Sequence, residues 1–416
     1  MNKGCAMNRR TFLASSAAGL ALAATRPAWS AGGLTSMTTG IVPITPAERL
    51  ARIAKVQGLM RAQGLTALLI EPGASLAYFT GIQWHRSERL TAAIIPAEGR
   101  IGVVTPFFEE PSVRETLNVS AEVRTWQEDE DPLALVAGWL TDHKAGAIVA
   151  IEETLRYFAV DGLARALPHA AIRSGAAVVR ACRMVKSPAE IALMQAATDV
   201  TIAAYRYTAP KIERGMTSAD IATIMNKATS ALGGDPEFEL ILLGEASAYP
   251  HGSHQPQIVR EGAVVLMDCG CTVQGYQSDV SRTFVFGGAD KHQRTVWDQV
   301  HRGQQIAFEA ARIGAPAGAV DDAVRLYYES LGYGPRYKLP GLSHRTGHGI
   351  GLDGHEPVNL VHGEAMKLSP GMCFSDEPGI YIPGAFGVRL EDCFHMTESG
   401  PRWFSSPPPS IDRAFD

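Results

Sequence analysis

The chain has 416 residues, 46% of them hydrophobic, which is ample material for two domains. Charged residues make up 19% and the formal net charge is −5. With neither a basic stripe nor an acidic tail, that ordinary balance gives no reason to expect nucleic acid as a partner.

The first thirty residues read as a signal peptide. Lys3, Arg9 and Arg10 precede an apolar, small-residue run from Phe12 to Ala24, and Ala28-Trp29-Ser30 supplies small residues for a cleavage site. The run falls short of the roughly 20 residues that cross a bilayer, so no stable membrane anchor is expected. Arg9-Arg10-Thr11-Phe12-Leu13 resembles a twin-arginine signal, a route for proteins exported already folded, and the expected location is periplasmic or secreted. Without Cys5, the remaining Cys182, Cys269, Cys271, Cys373 and Cys393 are an odd set that makes no disulfide framework. Cys269-Gly270-Cys271 is too tight for the usual zinc spacing, so these thiols are expected to pack as small apolar side chains.

The globular part begins with Thr45-Pro46-Ala47-Glu48, a capping box with Pro at the first helical position, followed by a helical stripe of Leu50, Ile53, Val56 and Met60. Strands are expected at Thr66–Ile70, Thr91–Ile95, Ile101–Thr105 and Ala147–Ile151, with a helix near Pro132–Asp142. This makes an α/β amino-terminal domain over residues 45–183. A second domain, residues 187–404, opens with Ser187-Pro188-Ala189-Glu190 and a long helix carrying Ile191, Met194, Thr198, Ile202 and Tyr205. Thr217-Ser218-Ala219-Asp220 starts another helix, and two more follow near Lys291–Arg312 and Ala319–Leu331. The order is helix, helix, β-ribbon, twice over.

The ribbons carry the chemistry. Val264–Asp268 and Val280–Phe286 have strand composition, are punctuated by Gly270 and Gly275, and bear Asp268 and Asp279, which a hairpin can bring opposite each other. Met372–Ile382 and Phe386–His395 flank Pro383 and Gly384 and bear Glu377 and Glu391. Between the ribbons, Gly349, Gly351 and Gly354 make a helix improbable, which places His348 and His355 on an irregular segment where backbone can approach a site closely. Four ionised carboxylates in one pocket repel by roughly 4 kcal/mol per pair at about 4 Å and an effective dielectric of about 20. Two divalent cations neutralise them, and a neutral His348 adds a ligand without adding charge. Such a pair activates a water and polarises a carbonyl. The donor set suits Mn(II), the first expectation, or Co(II) or Zn(II).

The ordered set Asp268, Asp279, His348, Glu377 and Glu391, in the texts DCGCTVQGYQSDVSRTF, GHGIGLDGHE, DEPGIYI and GVRLED, resembles the pita-bread metallopeptidases, namely aminopeptidase P, prolidase, methionine aminopeptidase and their relative creatinase. Ala77-Tyr78-Phe79-Thr80-Gly81 is similar to the amino-terminal domain of the creatinase and prolidase branch. The resemblance implies a pseudo-symmetric α+β catalytic domain, a curved antiparallel sheet with outer helices, that cleaves the Xaa-Pro peptide bond by attack of a metal-activated hydroxide. It implies that Asp279 and Glu391 bridge the metals, that Asp268 holds one metal, and that His348 with Glu377 holds the other. It also assigns Glu377 to accept the water proton. His355, seven residues past the ligand histidine, and His251, seventeen before the first aspartate, are implied to bind substrate and stabilise charge at the scissile bond. Arg389 is implied to hold a substrate carboxylate. A small peptide with proline second is the implied partner, and a homodimer the implied assembly. Related scaffolds leave open a non-peptide substrate, as in dimethylsulfoniopropionate lyase or creatinase, and a non-catalytic binding protein, although creatinase lacks the metal set and this chain keeps every ligand.

Overall fold

The computed structural model describes residues 33–415, so the leader expected at residues 1–30 lies outside the described residues. The amino-terminal domain is a three-layer α/β/α sandwich. Its strands are β1 (Ala67–Ile70), β2 (Ala92–Pro96), β3 (Ile101–Pro106), β4 (Ala121–Trp126), β5 (Ile148–Ile151) and β6 (Ala171–Ser174), in the order β4-β3-β2-β1-β5-β6. Its helices are α1 (Pro46–Ala62), α2 (Ala74–Thr80), α3 (Glu110–Thr116), α4 (Pro132–Asp142), α5 (Tyr157–Ala166) and α6 (Ala176–Arg183). Alternation along β1 divides the core: Leu68 and Ile70 pack with Val56 and Met60 of α1 and Val178 of α6, while Ala67 and Leu69 pack with Leu133 of α4 and Leu163 of α5. The four expected strands and the helix near Pro132 are present. The edge strands β4 and β6 escaped the sequence reading because an edge faces water and keeps its charged residues, as β6 does with Arg173 exposed.

The carboxy-terminal domain is mixed α+β, with curved sheets and flanking helices in the pita-bread arrangement. Helices α7 (Pro188–Thr208) and α8 (Ser218–Leu232) each begin with a complete capping box, at Ser187/Glu190 and Thr217/Asp220. They cover a sheet of β7 (Asp235–Leu243), β8 (Val264–Val273), the short β9 (Tyr276–Gln277) and β10 (Val280–Val285), ordered β10-β8-β7 with β9 paired to β8. Helices α9 (Lys291–Ala310) and α10 (Gly318–Ser330) cover the second half. There β11 (Gly347–Gly349), β12 (Glu356–Leu360), β13 (Cys373–Asp376), β16 (Asp392–Thr397) and β17 (Gly400–Trp403) form a sheet ordered β12-β11-β13-β16-β17, and β14 (Gly379–Ile382) pairs with β15 (Phe386–Arg389). The five cysteines among the described residues are free and buried. No helix among these residues is long and apolar enough to cross a membrane.

Two local expectations are corrected. Asp268 and Asp279 do not face each other across the first ribbon. The β8/β10 register sets Asp268 opposite Ser281, so Asp279 is its diagonal neighbour, just outside β10. His348 lies on the short strand β11 and not on irregular chain, because Gly347 and Gly349 admit neighbouring backbone that a side chain would exclude. A Cβ at Gly347 would lie 2.1 Å from the Ser375 carbonyl oxygen, and one at Gly349 2.7 Å from that of Glu356.

Candidate active site

The ligand candidates stand where the strand ladders are interrupted. In the second ribbon, β13 pairs with β16 up to Asp376↔Asp392, and β14 pairs with β15 from Gly379↔Arg389. The same register carried across the gap sets Glu377 opposite Glu391, both outside those two ladders and lining the cavity, with Glu391 exchanging backbone hydrogen bonds with Ser281 of β10. β11 lies beside β13 and brings in His348, and the first ribbon brings in Asp268 and Asp279. The structure therefore brings all five together: donor atoms of Asp268, Asp279 and Glu391 lie within 4.8 Å of one another, as do those of His348, Glu377 and Glu391. Glu391 belongs to both groups, the position of a shared ligand. A third group of the same kind joins His355 to Asp279 and His348.

This cluster carries charge that the protein does not neutralise. Asp268 Oδ1 and Glu391 Oε1 are buried without a hydrogen-bond partner, a costly state for an anion. Burial, reinforced by neighbouring carboxylates, raises the Asp279 and Glu391 carboxyls well above their usual range. Glu377, also buried, is pushed up to about 8. The lone cation in contact among the described residues is Arg389, whose Nη2 donates to Asp268 Oδ2 at 2.6 Å. An oxygen-rich donor set with one imidazole and orphaned carboxylate oxygens fits a pair of divalent ions.

Hydrogen bonds around the cluster fix its ring tautomers. His348 Nδ1 lies 3.0 Å from the Gly349 carbonyl and must donate to it, leaving the Nε2 lone pair facing Glu377 Oε1 at 3.3 Å and Asp279 Oδ2 at 3.7 Å. Burial holds this imidazole neutral, far below its usual range. His344 Nδ1 likewise donates to the Arg345 carbonyl at 2.7 Å, so its Nε2 accepts from the Tyr381 hydroxyl at 2.7 Å. That hydroxyl oxygen in turn accepts from Arg389 Nη1 at 3.0 Å. Burial lowers His344 to about 3, so it stays a neutral acceptor.

Arg389 is tied into the protein around the cluster. It is buried, and its donors reach the Ser281 hydroxyl, the Pro250 carbonyl, the Tyr381 hydroxyl and Asp268. With its donors committed to the protein it orients Asp268, and through the Ser281 hydroxyl, which donates to Glu391 Oε2 at 2.8 Å, it also orients Glu391. It is a positioning residue. His251 and His355 are both exposed side chains on the cavity wall, and the His355 ring stands edge-on to His348 with centroids 4.2 Å apart. The cavity measures about 1010 Å³ and opens between the domains, with Thr154 of the amino-terminal domain on its rim. Sequence reasoning missed Ser281, Tyr381 and Arg345. The first two lie on paired strands among ordinary neighbours, and only the Gly-rich text around His348 could have drawn attention to Arg345.

Residues 192–398 match the model of metallopeptidase family M24, and residues 52–185 match that of the creatinase/prolidase N-terminal domain. The probable dipeptidase PepE of Mycobacterium tuberculosis is 34% identical over 353 residues, spanning 84% of this chain and 92% of the relative. The Xaa-Pro dipeptidase of Lactobacillus helveticus is 31% identical over 341 residues, 80% of this chain and 90% of the relative. The crystal structure of dipeptidase PepE from Mycobacterium ulcerans superposes with a TM-score of 0.80 at 32% identity, covering 89% of this chain and 98% of that one.

Proposed function

Because the chain belongs to metallopeptidase family M24, we propose that it is a metal-dependent hydrolase of the peptide bond preceding proline, working with two divalent ions of which manganese is the first candidate. The observation that carries the reading is the convergence of five donor side chains, two with orphaned buried oxygens, on one cavity. The preference for proline draws on what relatives such as the Xaa-Pro dipeptidase of Lactobacillus helveticus are called.

Asp268, Asp279, His348, Glu377 and Glu391 would hold the ions, with Glu391 shared between them. Ions bound there supply a water acidic enough to attack at neutral pH and an electrophile for the scissile carbonyl. Glu377, which lines the cavity 3.3 Å from His348 Nε2, would take a proton from the attacking water and return it to the departing proline nitrogen. His355, whose ring stands edge-on to His348 on the cavity wall, would meet developing negative charge on the carbonyl oxygen as a hydrogen-bond donor. His251 also lines the cavity and would contact the substrate's backbone.

Export through the twin-arginine route, with a signal over residues 1–30, and a homodimer belong to the same reading. They rest on the leader text and on the family resemblance. Fractionation of cells making the native chain or the Arg9→Lys, Arg10→Lys double variant tests export, which requires the variant to remain in the cytoplasm. For the activity, metal-free protein is reconstituted with Mn(II), Co(II) or Zn(II) and given Ala-Pro, a longer Xaa-Pro peptide, Ala-Ala and dimethylsulfoniopropionate. The reading expects turnover of proline peptides alone. Release of acrylate from the sulfonium compound, with proline peptides untouched, would transfer the site to lyase chemistry.

A further inference from the structure

The cavity is lined by two cations, Arg345 and Arg389, and they are held very differently. Arg389 is paired to Asp268, and its hydrogen-bonding groups are committed to the protein. Arg345 is half-buried and has no carboxylate within ion-pair distance among the described residues. Its single side-chain hydrogen bond runs from Nη1 to Asn359 Oδ1 at 2.9 Å, which leaves Nε and Nη2 without a protein partner. Asn359 stands directly across β12 from His348. The guanidinium is therefore braced one strand away from a metal-ligand candidate, its fork free.

The remaining charges on the wall make this cation stand out. Asp268, Asp279, Glu377 and Glu391 are the acids that two divalent ions would neutralise, Asp353 is already paired with Arg183 at 2.7 Å, and Glu237 is an exposed acid of the same lining that makes no ion pair with Arg345. Arg345 is the lining cation without a carboxylate partner among the described residues, and it is close enough to act electrostatically on His348, His355 and Glu377. A planar guanidinium with a free edge is matched by a carboxylate, which it grips through two parallel hydrogen bonds. In a dipeptide the terminal carboxylate lies one residue beyond the scissile carbonyl, about 3.8 Å of chain further on. In a longer peptide that place is taken by a neutral amide and the chain continues into the wall.

We propose that Arg345, held by Asn359, anchors the carboxy-terminal carboxylate of a dipeptide and so makes this enzyme a dipeptidase and not an aminopeptidase. The inference rests on the peptidase reading for the place of the scissile bond. An anchor that grips substrate and transition state alike acts on KM and leaves kcat almost untouched.

The test compares Ala-Pro, its carboxy-terminal amide and Ala-Pro-Ala on manganese-loaded wild-type, Arg345→Gln, Arg345→Lys and Asn359→Ala proteins, with calorimetric binding of proline and prolinamide in parallel. Charge-assisted hydrogen bonds of this kind predict a KM for Ala-Pro about 10- to 100-fold below that of the amide. Arg345→Gln should abolish that difference by raising the free-acid KM alone, with kcat within about twofold. Arg345→Lys and Asn359→Ala should fall between, the first losing the fork and the second the brace. The proposal is overturned if Arg345→Gln impairs acid and amide equally, or if wild type cleaves Ala-Pro-Ala as efficiently as Ala-Pro. Should wild type cleave none of the three, the Xaa-Pro reading fails and calorimetry still decides the anchor. An Arg345-dependent preference for proline over prolinamide retains it, and equal binding removes it.

Discussion

Glu391 and Asp392 are neighbours in the chain, both buried, and the fold treats them in opposite ways. Asp392 is met by Arg282 at 2.7 Å, by Gln304 at 3.1 Å and by the Ser405 hydroxyl. Glu391 receives one hydroxyl and keeps an oxygen with no partner at all. The same contrast separates Glu377 from Glu356. Burial pushes Glu377 up to about 8, whereas Glu356, which is just as enclosed, is drawn down to about 2 against its own burial by Lys186 and Arg183. Where a carboxylate serves the architecture, as Glu356 does in tying the end of the amino-terminal domain to the second domain, the sequence supplies its cations. Where the four clustered acids meet in the cavity, it supplies one arginine in contact with them, Arg389. The deficit is concentrated at this cavity and extends to Asp376, next to Glu377 in the chain, whose two buried oxygens also lack a partner, and it points to positive charge supplied from outside the chain.

The contrast can be broken most severely at the cluster. Asp279→Asn or Glu391→Gln should abolish metal retention, measured by elemental analysis, and lower turnover by well over the roughly 10- to 100-fold expected of residues that only orient ligands. Chelator-treated Glu391→Gln should melt no lower than chelator-treated wild type, because an unpartnered charge has been removed. Asp392→Asn and Glu356→Gln are the counter-experiment. Each strands a buried arginine or lysine and should cost about 3–5 kcal/mol in denaturant unfolding, with or without metal. If Glu391→Gln proved as destabilising as Asp392→Asn in metal-free protein, the cluster would be structural and the metal assignment would fall.

A smaller effect sharpens the comparison at the one arginine the cluster does have. Tyr381→Phe removes the hydroxyl shared by Arg389 and His344. Loss of that alignment should lower kcat about 10- to 100-fold with metal content retained, as for other residues that orient ligands. An unchanged kcat would mean that Arg389 holds Asp268 without help.

The cluster was legible in the sequence because its acids sit in, or directly beside, strands whose neighbours are apolar. Val264 to Met267 make exposure of Asp268 implausible, and buried acids demand a partner. The histidines were legible through their glycines. What stayed hidden was the register and the pairing. Nothing in one strand's text says that Asp268 will face Ser281 and not Asp279, since that depends on the short β9 pair that ends the hairpin. Nor does composition separate Arg389, whose donors bind four protein partners, from Arg345, whose fork is free. The arginine two residues before Glu391 is given the carboxylate role by its place in a motif, and its hydrogen bonds to Ser281, Pro250, Tyr381 and Asp268 are visible only in the fold. Long-range partners such as Arg183 for Glu356, 173 residues away, are likewise set by topology and not by local pattern.

The smallest effect is a pH dependence, and its sign follows from the same deficit. His344 and His348 titrate near 6.5 when unfolded and are held lower by the fold, so above about pH 7 they are neutral in both states and contribute no slope. The acids behave otherwise. Glu377 moves from 4.5 in the open chain to about 8 in the fold, and Asp279 and Glu391 are also raised. The folded metal-free protein therefore holds protons that the unfolded chain has released. The stability this lends is fully present below the unfolded value and is lost as pH climbs through the folded one. Chelator-treated protein should thus lose at least about 1 kcal/mol between about pH 7 and pH 9, seen as a falling melting temperature. Manganese-saturated protein should show a flatter profile over the same interval, because the bound ions compensate the charge that protons otherwise remove. Parallel profiles for the two forms would mean that the cluster's charges are already balanced within the protein, and the distinction between Glu391 and Asp392 would lose its meaning.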